Sequence, residues 1–124
     1  MKREVRFRLW DKTSNAMKFE FGMNSEGKTG YYDKGSWKAS DNIELMQWTG
    51  LKDKAGNDIY ESDIVSFMYK YPNDHLAKLE LVECEIVWNK SMWALKWKDG
   101  YINGSQLNAE KYTVVGNIYE NEGL

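Results

Sequence analysis

The chain of 124 residues has one cysteine, one proline and one histidine. Cys84 alone cannot close an intrachain disulfide, and a thiolate cage around a metal is excluded within one chain. With only His75 beside it, a metal site would have to be built from carboxylates, and no calcium-loop spacing is present. No run approaches the ~18 apolar residues of a membrane-spanning helix. The opening "MKREVRFRLW" alternates charged and apolar residues and is no signal-peptide h-region. These absences lead to the expectation of a soluble, cytoplasmic protein with no membrane contact. A basic excess is missing too. The 17 Lys and Arg face 19 Asp and Glu, for a net charge of −2, so electrostatics give no drive toward duplex nucleic acid. "GYINGS" lacks the strand–turn–helix setting of a phosphate loop or dinucleotide fingerprint. No cofactor is expected. No window of 11–18 residues carries a helical period, and the only short helix candidates are "HLAKLEL" (75–81) and "NGSQLNAEK" (103–111).

Aromatics are what the chain has in excess. Six Trp and eight Tyr sit in a sequence that is 42% hydrophobic, enough for a packed core in one domain spanning 1–124. The apolar residues alternate. In "EVRFRLW", Val5, Phe7 and Leu9 share a side opposite Glu4, Arg6 and Arg8, the pattern of a strand with one wet face. "DKTSN" then supplies a turn, and "MKFEFGM" alternates again, so an N-terminal β-hairpin is predicted. Asn24 to Asn42 reads as a long loop with a short strand at Tyr31–Tyr32. Its large apolar groups, Tyr31, Tyr32 and Trp37, either cover a core edge or present a recognition surface. "IELMQWT" and "DIVSFMY" are strands, the second apolar on both faces and therefore central. Between them the polar turn "KDKAGND" wants a residue of positive φ, at Gly56 or Asn57. Pro72 breaks the sheet at "YPNDHLAK". "LELVECEIVW" is the longest strand candidate, "NKS" turns the chain, and "MWALKW" returns as its partner. "EKYTVVGNIY" is the last strand and "ENEGL" a polar tail. Seven or eight short strands make the chain all-β.

Two stretches, "QWTGLKDKAGNDIYESDIV" and "VVGNIYEN", resemble the YopX family of small phage and prophage proteins. The matching positions are Gln47, Trp48, Thr49, Gly50, Leu51, Lys52, Asp53, Lys54, Gly56, Ile59, Tyr60, Glu61, Asp63 and Ile64, then Gly116 to Asn121. The resemblance implies a mostly β fold with a small SH3-like barrel and a phage or prophage setting in a bacterial host. It implies no activity. The fold expected is thus an SH3-like barrel in the C-terminal two-thirds (46–124), with the N-terminal hairpin and long loop (1–45) packed on it. One departure stands out: where the family has glycine in its "YEGD" turn, this chain has Ser62. Either that position has negative φ here, or the serine holds a strained positive φ, at a cost on the order of 1 kcal/mol.

The candidate chemistry is thin. Glu61 and Asp63 are two apart and share a side if the segment is extended. A carboxylate pair could serve hydrolysis, but an Asx side chain in a turn more commonly accepts backbone N–H groups. A Cys84–His75 nucleophile pair is conceivable, yet Cys84 sits in an apolar alternating strand, where thiols are inert. "WNKSMWALKWKDGYING" is the richest tract. On a hairpin, Trp93, Leu95 and Trp97 share the core-facing side, opposite Met92, Ala94, Lys96 and Lys98. Lys96, Trp97, Lys98 and Tyr101 are the candidate nucleic-acid contacts, since barrels that bind single strands combine aromatics with basic residues. The reading is a non-enzymatic binding or assembly module, with homo-oligomerisation possible. The alternative is a single-stranded nucleic-acid binder, and the weaker one an enzyme using Glu61 and Asp63.

Overall fold

A computed structural model describes residues 5–19, 21–23, 25–26, 28–39, 42–69, 79–97, 100–103 and 108–120. Twelve strands and one 3-10 turn, but no α-helix, are found among them. The all-β expectation therefore holds. His75, Pro72, Lys98 and the "ENEGL" residues from 121 on lie outside the described residues. The chain forms two compact units, Met1–Trp48 and Thr49–Leu124.

In the first unit, β1 (Phe7–Asp11) pairs antiparallel with β2 (Ala16–Lys18), which is the predicted hairpin. The turn is closed by Asp11, fully buried: its Oδ1 accepts from Thr13 N at 3.1 Å and its Oδ2 from the Ser14 hydroxyl at 2.7 Å. "MKFEFGM" is not one strand. It breaks after Lys18, and β3 (Phe21–Met23) joins a different sheet.

The long loop expected over Asn24–Asn42 is also corrected. It holds a second hairpin, β4 (Thr29–Asp33) and β5 (Ser36–Ala39), in a sheet of order β3-β4-β5. Asp33 faces Ser36 across a two-residue loop whose residues, Lys34 and Gly35, have φ of 52° and 83°. Two left-handed residues give the turn a twist that matches the flanking strands. Asn-Gly or Asp-Gly would have announced it; Lys-Gly does not.

β6 (Ile43–Lys52) runs antiparallel to β1, with Leu9 opposite Leu45. It begins in the first unit and ends in the second. There it meets β7 (Asp58–Tyr60) through the predicted glycine turn, with Gly56 at φ 88°.

The second unit is built on β8 (Asp63–Tyr69), β9 (Glu80–Asn89), β10 (Met92–Trp97), β11 (Gly100–Asn103) and β12 (Thr113–Asn117). Their order is β11-β10-β9-β8-β12, all antiparallel, in a sheet curled as a half-barrel. A meander of four strands whose fifth returns beside the first is consistent with the SH3-like expectation. β8 lies inside the sheet, as its two apolar faces required. The β9–β10 loop is again two residues, Lys90 and Ser91, with φ of 47° and 73°. Alternation delivers the core: Val82, Cys84 and Ile86 of β9 and Leu95 of β10 are buried together with Val65, Ile59 and Tyr112. Burying each large aliphatic contributes roughly 1.5–3 kcal/mol. Trp93 and Trp97 are half-buried against this cluster. Ala94, on the opposite side, is fully buried as well.

The "NGSQLNAEK" helix candidate reduces to a 3-10 turn at Ala109–Lys111 between β11 and β12. Of "HLAKLEL", Glu80 and Leu81 belong to β9 and residues 75–78 lie outside the described residues.

Candidate functional site

The "ESD" corner is a turn. Ser62 has φ 73°, the strained alternative left open by the sequence. Glu61 and Asp63 therefore do not sit on one side of an extended segment. Asp63 is buried, and its Oδ2 accepts the backbone N–H of Tyr60 at 2.8 Å. The Ser62 backbone binds in two directions: its N–H donates to Ile86 O at 2.7 Å and its carbonyl accepts from Ile118 N at 3.1 Å. A chain held on both sides keeps a left-handed serine that would otherwise relax.

Asp53 is the residue that sequence reasoning passed over. Its Oδ1 accepts from Ala55 N at 2.9 Å and Asn57 N at 2.8 Å, closing the glycine turn. Its Oδ2 accepts from Val114 N at 3.0 Å, and Lys54 N donates to Tyr112 O at 3.0 Å. Burial alone would raise the Asp53 pKa; the bonds from Val114, Asn57 and Ala55 outweigh it and hold the carboxyl below its ordinary value. A carboxylate saturated in this way is a fixed acceptor rather than a proton carrier. Asn117 closes the set. It lies opposite Asp63 on β12, and its Oδ1 accepts from Tyr119 N at 3.0 Å and Glu120 N at 2.8 Å. The two motif stretches, far apart in sequence, are thus one hydrogen-bonded assembly.

The remaining candidates separate. Cys84 is buried and faces the core, where desolvation pushes its thiol up to about 11. Lys96 and Tyr101 lie directly opposite each other on β10 and β11, both exposed. Trp97 follows Lys96 and so points to the other side, with its ring 5.9 Å from Tyr69 in an edge contact. Lys98 lies outside the described residues. Glu85, opposite Lys96, has its pKa raised by burial, with nearby Glu61 adding and Lys96 opposing. Of the loop aromatics, Tyr31 is half-buried under the Lys18 ammonium, 4.9 Å from its ring centre, and hydrogen-bonds Asp11. Tyr32 and Trp37 face each other on the other side of the β4–β5 hairpin, Tyr32 exposed.

A concave site exists within the second unit. A cleft of about 260 Å³ is lined by Phe67, Met68, Tyr69, Leu95, Asn108, Lys111 and Tyr112. Phe67 stands 4.9 Å from Tyr112 and 6.3 Å from Tyr69, and Tyr69 continues to Trp97. Four rings thus run in sequence along one side of β8. Tyr112 is held in place by its hydroxyl, which accepts from Asn108 N at 3.0 Å. Alternation put Trp97 on the core-facing side of its hairpin and made both faces of β8 apolar, but only the fold shows that three separate elements leave an opening there. Among the described residues no group of three His, Cys, Asp or Glu could hold a metal ion.

This architecture has known counterparts. The family model for YopX protein matches residues 6–124, and the chain belongs to that family. The chain is similar to the crystal structure of protein EF1440 from Enterococcus faecalis, with TM-score 0.58 and 25% identity over 97% of this chain and 96% of that one. It is also similar to the crystal structure of YopX from Bacillus subtilis, with TM-score 0.60 and 16% identity over 95% of each chain. No curated protein matches the sequence. No helix among the described residues is long and apolar enough to cross a membrane.

Proposed function

We propose that this chain is a non-enzymatic binding or assembly module, acting in the phage or prophage setting that its family resemblance implies and in the host cytoplasm. Its contact surface is the aromatic cleft at the mouth of an SH3-like barrel. The supporting observation is the run of rings Tyr112, Phe67 and Tyr69 bordering an opening of about 260 Å³, with Trp97 against Tyr69 behind it. Partly exposed aromatic groups beside a recess, here Phe67 and Tyr69 over the buried Tyr112, are the usual anchors of recognition. Of the two carboxylates that first suggested catalysis, Glu61 and Asp63, Asp63 accepts a backbone N–H group instead, as Asp53 does.

The nucleic-acid alternative draws on Lys96 and Tyr101, which share an exposed face. Against it, residues 49–124 carry twelve Asp and Glu and eight Lys and Arg, a balance of −4. A repulsive field weakens binding to phosphate chains.

Titration with indole and phenol, followed by NMR, tests the cleft directly. Saturable shifts concentrated on Phe67, Tyr69 and Tyr112 are expected. Shifts scattered over the surface, or none, would remove the cleft as the contact site.

A further inference from the structure

The cleft has an edge as well as a floor. β12 accompanies β8 only as far as Thr113 opposite Ser66. β9 stays beside β8 to the end, where Tyr69 faces Glu80. Past Ser66, the β12 side of β8 at Phe67 and Met68 has no strand beside it among the described residues. Phe67 and Met68 also line the cleft, together with Asn108, Lys111 and Tyr112 from the far wall.

Three features then coincide. An open strand edge presents backbone donors and acceptors to an added strand. A recess of about 260 Å³ is smaller than most cofactor sites and takes one large side chain. The single charged residue in its lining is Lys111, exposed, and no Asp or Glu lines it among the described residues. A lone cation at the rim of an apolar slot selects a carboxylate. Met68 is itself about half exposed and lies opposite exposed Leu81, so the apolar surface continues beyond the slot.

We infer that the cleft receives an extended segment of a partner protein. The segment hydrogen-bonds to the β8 edge past Ser66 at alternate residues, since successive backbone groups turn to opposite sides. It seats one apolar or aromatic side chain against Phe67, Tyr69 and Tyr112, and it places an Asp or Glu on Lys111. This rests on the cleft being the contact surface and names what the cleft takes. The acidic balance of residues 49–124 favours a peptide over a nucleic acid strand.

Selection of a random-peptide display library on the full chain tests it, followed by calorimetry on the winning sequence. Enriched peptides should carry an acidic residue within two positions of an apolar anchor. Single N-methylation along the peptide should weaken binding at alternate amides, since a strand added to an edge turns every second N–H toward it. Lys111→Glu should lower affinity on the order of tenfold, the loss of one charge-assisted contact, with an unchanged melting temperature. Enrichment of basic residues, indifference to N-methylation, or indifference to Lys111→Glu would overturn the inference. Displacement of the peptide by oligothymidylate would reassign the cleft to nucleic acid. If no peptide is enriched while indole still shifts the cleft residues, the peptide ligand is lost and the cleft stands. If indole also fails, both readings fall.

Discussion

Asp53 Oδ2 accepts the backbone N–H of Val114 at 3.0 Å, across sixty-one positions of sequence. This bond ties the glycine turn between β6 and β7 to the last strand. With Asp63 on Tyr60 N and Ile118 N on Ser62 O, it explains why two distant stretches resemble one family pattern. They are two halves of one joint.

Acid should loosen that joint. Asp53 and Asp11 are both held below the ordinary carboxylate pKa by hydrogen bonds that outweigh their burial. An acid with a depressed folded pKa adds stability that is complete above its unfolded value, near 3.9, and is lost as pH falls through the folded one. Urea midpoints measured downward from pH 5 should therefore fall, with the loss concentrated below about pH 4. Asp53→Asn should flatten the curve there.

Ser62 pays for its conformation. At φ 73° its Cβ crowds the backbone, and glycine would not. Ser62→Gly should stabilise the chain by about 1 kcal/mol, offset in part by the extra freedom glycine has when unfolded. Denaturant unfolding checks the sign. Ser62→Val should destabilise by more than Ser62→Gly gains, because a β-branched residue tolerates positive φ worst.

Gly30 is a matter of space. A Cβ built there would sit 2.6 Å from the Trp37 ring and against the Lys38 carbonyl. Gly30→Ala should displace Trp37 and cost on the order of 2 kcal/mol. Loss of the Trp37 indole shift dispersion in NMR would report it.

Cys84 should be silent in the native state. Burial raises its thiol to about 11 and leaves it 2% exposed. Ellman's reagent at pH 8 should react only as fast as the protein opens, and at the full rate in denaturant.

Most strands were legible because they are half-buried, and burial on one side writes a period of two into the sequence. β9 shows it plainly; β1 was legible from its alternating sequence, but Arg8 on its expected wet side is buried and Phe7 on the other is exposed. β4 and β5 were hidden because their register depends on a Lys-Gly turn and on Gly30 lying beneath Trp37, and neither leaves a period. The break between β2 and β3 was invisible for a similar reason: "MKFEFGM" alternates through it while the strands part into separate sheets. Asp53 escaped notice since its decisive partner is a backbone N–H in β12. Backbone groups carry no sequence signal at all. The cleft is assembled from β8, β10 and the 3-10 turn, so its residues only meet once the sheet has formed.

The central claim is that the motif residues hold the fold while the cleft does the binding. Asp53→Asn tests it most directly, measured by urea unfolding and by indole titration of the folded variant. An amide has one acceptor oxygen where the carboxylate offers two, so some of the four N–H groups on Asp53 must lose their partner. The account predicts a stability loss of about 2 kcal/mol and an unchanged indole affinity. Unchanged stability with abolished indole binding would contradict it.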